Sequence, residues 1–319
     1  MGIAKTPSIR FQIIHNMLRS DNNVFNISYL CELAGVSRSG FYNWVAQTKN
    51  REKRESSDQK DFALILEAHK YRGYDKGVRG IHMRLIRSMN VTMNPKKIRR
   101  LMRKYGLTCK IRKANPYRRM AKALKESKVA PNLLNREFRK HGKRAVILTD
   151  ITYIRNATGK FTYLCVMLDA FTKEILEREF SANLEVDFVE LCAKNLVKSH
   201  DLSPDALVHS DQGVHFKSEK FVRVLTDAKL RQSMSRRANC WDNAPQESLF
   251  GHMKQEVTIR PEDTHEDIVR KIDDWIDYYN NDRHQWGLGK MTPSEYYKFL
   301  TTGKIPPGAL PPDPQGLTL

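Results

Sequence analysis

Three acidic residues stand where a two-metal nuclease needs them. Asp150 ends the run Arg144-Ala145-Val146-Ile147-Leu148-Thr149-Asp150, and Asp211 ends Ala206-Leu207-Val208-His209-Ser210-Asp211. Glu247 opens a helix-like segment after Asn243-Ala244-Pro245, with thirty-five residues between it and Asp211. Hard cations such as Mg²⁺ want oxygen ligands, and carboxylates at strand ends can converge on one cleft. The pattern points to phosphodiester chemistry on nucleic acid. Spacing alone carries little weight in a chain with 36 acidic residues among 319. Context carries more, because each acid begins or ends an element and is wrapped in unusual polar sequence. Ser210-Asp211-Gln212-Gly213-Val214-His215-Phe216 is one wrapper, and the stretch from Asn239 to Ser248 is the other. The bland alternative is a set of solvated acids on an ordinary α/β domain.

Composition narrows the partners. A chain of this length holds about two or three domains and can bury a core of its own. With 40% hydrophobic residues it reads as folded rather than disordered. A net charge of +19 implies a polyanionic partner. A membrane surface could use the same charge, yet no run approaches the roughly 20 apolar residues of a span and no signal peptide is evident. Nucleic acid is the better partner. The five cysteines, Cys31, Cys109, Cys165, Cys192 and Cys240, are scattered without zinc spacing or a disulfide framework. Cys31, Cys165 and Cys192 read as small core hydrophobes, in a protein of the reducing cytosol.

The elements that must position these acids divide the chain. Residues 1–50 read as a helix-turn-helix DNA-binding region: a first helix from Ile27, a turn at Gly35-Val36-Ser37, and a second helix from Arg38 to Gln47 capped by Ser37. That second helix presents Arg38, Ser39, Tyr42 and Asn43, side chains able to meet phosphates and base edges. A plain helical hairpin is the alternative. Residues 51–108 read as a second helical DNA-binding unit after a charged linker at Lys49–Lys60, with helices over 60–71, 78–89 and 95–105. The last carries Lys96, Lys97, Arg99, Arg100, Arg103 and Lys104, a face that could equally be merely solvated. Residues 109–143 form a basic arm: Cys109 to Arg144 has thirteen Lys/Arg against two Glu. Arg118 and Arg119 within it are candidate phosphate contacts.

From residue 144 to 300 strands and helices alternate. Strands are expected over 146–153, 161–169, 175–180, 206–210 and 231–234, giving a mixed-sheet α/β layout. Leu184, Phe188, Leu191, Cys192 and Leu196 repeat at helical spacing on a core-facing helix. Glu247, Gly251 and Lys254 share one face of a later helix. Gly251 suggests a close backbone approach, and Lys254 a phosphate contact near the acids. Residues 301–319 form a proline-rich tail.

These residues carry a resemblance. Thr149-Asp150-Ile151-Thr152-Tyr153, His209-Ser210-Asp211-Gln212-Gly213 and Asn239-Cys240-Trp241-Asp242-Asn243-Ala244-Pro245-Gln246-Glu247-Ser248 resemble the three catalytic motifs of bacterial insertion-sequence transposases with the retroviral integrase catalytic core. The match is to the insertion-sequence-three family, and to the product of its second reading frame. Tyr279-Asn280-x-x-Arg283-His284-x-x-Leu288-Gly289-x-x-Thr292-Pro293 resembles that family's C-terminal signature. Val36–Tyr42 and Arg100–Leu107 resemble its helical DNA-binding regions.

The resemblance implies an RNase H-like core, a mixed five-stranded sheet with flanking helices, preceded by small all-α helix-turn-helix regions. It implies a DDE transposase in which Asp150, Asp211 and Glu247 are catalytic and hold two Mg²⁺ ions, with Mn²⁺ able to substitute. Asn239, Trp241, Asn243 and Lys254 would contact DNA. Water would release a 3′-OH at the element's end, and that 3′-OH would attack another phosphodiester. The implied partners are double-stranded DNA (terminal inverted repeats and target), at least one further copy of the chain, and the upstream reading-frame product as fusion or partner. No membrane is implied, and the expected place is the bacterial cytoplasm at the nucleoid. Two rivals stay open: a helix-turn-helix regulator without catalysis, and an RNase H-type nuclease.

Overall fold

Residues 6–21, 23–73, 77–109, 130–134, 137–138, 140–155, 159–236 and 243–311 are described by the computed structural model of the chain. They fall into two compact units, residues 1–66 and 67–319. In the first, α1 (Pro7–Leu18), α2 (Ile27–Leu33) and α3 (Arg38–Ala46) close around Ile14, Leu30, Cys31 and Phe41. Asn26 caps α2 by accepting from the Tyr29 amide, and Ser37 caps α3 by accepting from Gly40. Between them Gly35 takes φ +61°, a left-handed turn that other residues adopt at a cost. The expected helix-turn-helix is therefore formed.

The charged stretch expected as a linker is helical. Helix α4 runs unbroken from Thr48 to Lys70. No Gly or Pro interrupts it, and a run of Lys, Arg and Glu is made of good helix formers whose charges stay in water.

The second unit holds α5 (Val78–Met89), α6 (Pro95–Lys104) and the sheet. Asn94 caps α6 from its side chain, with Pro95 next in line. The five strands are β1 (Val146–Arg155), β2 (Phe161–Asp169), β3 (Ile175–Ser181), β4 (Leu207–Ser210) and β5 (Arg231–Met234), in the order β3-β2-β1-β4-β5. The first three are antiparallel, and β4 and β5 lie parallel to β1. This is the mixed five-stranded layout expected of an RNase H-like core.

Because side chains alternate along a strand, the central strands bury both faces. One face (Val146, Leu148, Leu164, Val166) packs on α9 (Ala244–Glu256) and α10 (His265–Asn281). The other (Ile147, Cys165, Met167, Val208) packs on α7 (Asp187–Ser199) and α8 (Glu219–Asp227). Helix α11 (Pro293–Thr302) follows with a Thr292/Glu295 capping box. Helix α7 begins later than its apolar spacing suggested, so Leu184 and Leu191 are exposed and Val189 and Ala193 are buried in their stead. Helices α5 and α6, expected as a separate unit, belong to the unit that holds the sheet. Arg84 donates to the Asp282 carbonyl at 2.6 Å, and Arg87 donates to the Lys290 carbonyl and to Glu295.

Candidate active site

Parallel pairing of β1 with β4 sets Asp150 and Asp211 toward the same end of two neighbouring strands. Leu148 lies opposite His209 in the parallel ladder. Two residues further along each chain stand Asp150, still within β1, and Asp211, the first residue past β4. The ends of these strands are where an open α/β sheet leaves a crevice.

Each carboxylate is braced. Asp150 accepts from the Ile151 amide at 2.8 Å and from Asn243 Nδ2 at 3.2 Å. Asp211 accepts from the Gly213 amide at 2.8 Å, and a Cβ on residue 213 would sit 2.8 Å from that same Asp211 oxygen. Only glycine leaves Asp211 this rotamer. Gln212 reaches across to the Ser235 carbonyl at 3.0 Å, pinning the Asp211 loop to the end of β5. Two residues back, on β4, buried His209 pairs with Ser233 on β5 at 2.9 Å.

Helix α9 brings the third acid. Its first turn is docked by two hydrogen bonds from residues flanking the acid. Asn243 reaches Asp150, and fully buried Gln246 donates to the Val166 carbonyl at 3.1 Å. Val166 is the cross-strand partner of Asp150. Glu247, next in line, is exposed in that first turn, where the helix dipole favours an anion. Leu249, Phe250 and Met253 bury the opposite side of the helix.

The other expected site residues separate into three groups. Arg38, Ser39, Tyr42 and Asn43 are exposed along α3, and Phe41 turns inward. Arg38 also donates to Ser28 at 3.1 Å, tying α3 to α2. Lys254 is half-buried on α9, its Nζ 5.3 Å from the Tyr153 ring centroid, and Tyr153 stands exposed on β1 three residues past Asp150. Arg118, Arg119, Asn239 and Trp241 lie outside the described residues, as does most of the basic arm.

Two expectations are corrected. Asn243, expected on the DNA surface, is 5% exposed and spends its amide on Asp150, because it caps the approach of α9 to the sheet. Gly251, expected beneath a close backbone approach, has nothing within 4 Å of a built Cβ. Gly213, Gln246 and Asn243 as carboxylate supports escape sequence reasoning. All three sit inside the quoted motifs, and only their partners were invisible.

The donor set is chemically suited to Mg²⁺ or Mn²⁺: oxygen ligands alone, at the mouth of a sheet. Among the described residues no three carboxylate, histidine or cysteine side chains stand close enough together to hold an ion unaided. Mg²⁺ sites commonly use one or two carboxylates and take further oxygens from substrate phosphates. The pair Asp150 and Asp211 fits that arrangement.

The family model described as integrase core domain matches residues 140–240, and a second of the same description matches residues 228–293. A model described as HTH-like domain matches residues 56–115, which takes in α5 and α6. The chain is 31% identical over 209 residues to an uncharacterized transposase-like protein of Haemophilus influenzae, covering 65% of this chain and 94% of that one. It is 28% identical over 269 residues to an uncharacterized 31 kDa protein of insertion element IS600 from Shigella sonnei, covering 84% and 97%. It is 27% identical over 276 residues to a transposase of insertion sequence IS3A from Escherichia coli, covering 85% and 94%.

A helix-turn-helix region joined to an integrase core defines a DNA-acting polynucleotidyl transferase of the DDE class. Within that class the chain belongs to the insertion-sequence transposases, of the insertion-sequence-three kind. Membership sets aside the reading as a regulator without catalysis.

Proposed function

We propose that Asp150, Asp211 and Glu247 are the catalytic carboxylates, and that they serve cleavage at the ends of an insertion sequence followed by strand transfer. The observation that supports this is the docking of α9: Asn243 on Asp150 and Gln246 on Val166 tie the helix turn that carries Glu247 to β1 and β2, beside Asp150. Two bound Mg²⁺ ions would supply charge stabilisation to the attacking and leaving oxygens of an in-line displacement. Asp150, Asp211 and Glu247 would hold the ions through their carboxylate oxygens. The Ile151 amide holds Asp150 and the Gly213 amide holds Asp211, and the missing Gly213 side chain leaves the Asp211 oxygen its space. Lys254, two turns along α9 from Glu247, suits a DNA phosphate.

The same proposal assigns the partners. Terminal inverted repeats and target DNA would be gripped by exposed Arg38, Ser39, Tyr42 and Asn43 and by the basic groove of Lys96, Arg99, Arg100, Arg103 and Lys104 on α6. Two DNA ends call for at least two copies of the chain, and the upstream reading-frame product would join as fusion or partner. No helix among the described residues is long and apolar enough to cross a membrane. A cytoplasmic place of action at the nucleoid goes with this reading.

The test is labelled duplex carrying the element's own ends, incubated with Mg²⁺ or EDTA. Asp150→Asn, Asp211→Asn and Glu247→Gln should each abolish nicking and joining while duplex affinity stays within about threefold, since phosphate contacts elsewhere dominate binding. Unchanged turnover in any one variant removes that acid from the mechanism.

A further inference from the structure

The C-terminal signature lies away from the carboxylates, yet its side chains close on the helix that carries one of them. Glu256 is the last residue of α9. Arg283 donates to it through Nε at 3.2 and 3.3 Å and through Nη2 at 2.9 Å. Trp275, with no exposed surface, donates its indole N–H to the other Glu256 oxygen at 2.8 Å. Both oxygens are thus held, and the pair is largely buried, at 10% exposure for the Glu256 side chain and 19% for Arg283.

The signature itself is anchored at three further points. Asn280 exchanges two hydrogen bonds with the backbone of Ile175, at 3.0 and 2.8 Å, which fixes α10 to the start of β3. Arg84 of α5 holds the carbonyl of Asp282, the residue before Arg283. Leu310 donates to the Gly289 carbonyl at 2.9 Å, and Arg87 donates to the Pro307 carbonyl, so the chain after α11 straps the same region.

We propose that Arg283 is a positioning residue for the transposase reaction, acting by gripping Glu256 at the far end of α9 so that Glu247 is held at a fixed height against Asp150 and Asp211. The helix is a rod of about 13 Å between these two acids. Asn243 and Gln246 seat its first turn on β1 and β2, and Arg283 and Trp275 seat its last. A rod seated at one end can tilt or slide, whereas one seated at both cannot, and carboxylates that share ions need placement to a fraction of an ångström. Stability alone is a weak reason for the pair, since buried ion pairs can often be exchanged for apolar residues without loss. A planar two-pronged donor is required where geometry is the point.

This inference rests on Glu247 being a metal-bearing acid. Its principal test is Arg283→Lys in the full chain, which keeps the charge and removes the fork. Three quantities are measured: nicking rate at saturating labelled duplex end, duplex affinity in EDTA, and the rise in melting midpoint on adding Mn²⁺. The rate is expected to fall about tenfold and the Mn²⁺-induced rise to shrink, with EDTA affinity and metal-free midpoint unchanged. A second variant, Glu256→Met with Arg283→Met, replaces the pair by apolar side chains and should show the same losses. Wild-type rate and Mn²⁺ response in Arg283→Lys, or recovery of both in the double variant, overturns the proposal. Absence of any Mn²⁺ response in the unaltered chain overturns the metal reading beneath it, an outcome distinct from the first.

Discussion

Gly213 shows how much of the site is decided by a missing methyl group. Its amide holds Asp211, and its lack of a side chain leaves that carboxylate its place, with 2.8 Å between the Asp211 oxygen and a built Cβ. Gly213→Ala should therefore lower the nicking rate by about a hundredfold through displacement of Asp211 by something near an ångström. The melting midpoint should barely move, since the loop lies outside the core. A rate within threefold of the unaltered chain shows that Asp211 reacts from another rotamer. At this scale the three acids were legible because they end or begin elements, and their wrappers announced a site. Which neighbour supports which acid was not legible: the bonds from Asn243 to Asp150 and from Gln246 to Val166 join residues about 80 to 93 positions apart. Nothing local encodes such a pairing.

At the scale of elements, helix α9 makes a sharp prediction through its own glycine. Gly251 lies in the helix interior with open space where a side chain would go. Gly251→Ala should stabilise the protein by about 0.5–1 kcal/mol, by removing backbone freedom from the unfolded chain. Urea unfolding measures this directly. If the open face receives DNA, a bulkier Gly251→Gln should weaken duplex-end binding while keeping that added stability. Equal affinity in both variants takes DNA off this face. Caps and strand runs were readable because their signals are local: Ser37, Asn94 and Thr264 each bond within three residues. The first half of α4 has no such signal, because its polar, charged run from Thr48 to Lys60 shows no apolar period, whereas the helix over its second half is legible in Phe62 to Leu66.

The second unit as a whole should be sensitive to acid. His284, in the C-terminal signature, has its pKa pushed down from 6.5 to about 3, by burial first and then by the nearby Arg84 and Arg87 cations. In the folded protein it stays neutral, and in the unfolded chain it takes up a proton near its ordinary pKa. Unfolding thus binds a proton between those limits, and stability present above pH 6.5 is lost as pH falls toward 3. The group contributes a slope of about 1.4 kcal/mol per pH unit across that window. Denaturant midpoints at pH 7, 6 and 5 should drop more steeply for the unaltered chain than for His284→Gln. Parallel curves exclude His284 as the source. Salt should weaken the complex as acid weakens the fold. With +19 net charge, duplex affinity should fall linearly on a log–log plot of salt, and a flat plot rules out phosphate tracking.

The pairing of β1 with β4 has a bearing on when this protein becomes dangerous to its host. The strands that carry Asp150 and lead to Asp211 pair in parallel across some sixty residues of chain, a contact that must wait for the intervening hairpin and helix α7. Glu247 arrives later still, on a helix whose seating needs residues as far on as Arg283. On the proposed reading, a chain still emerging from the ribosome, or cut short before its C-terminal signature, would carry the exposed basic faces of α3 and α6 without the three acids gathered. If the three acids do the cutting, it would be the last property this molecule acquires as it is made, and the first it forfeits when truncated.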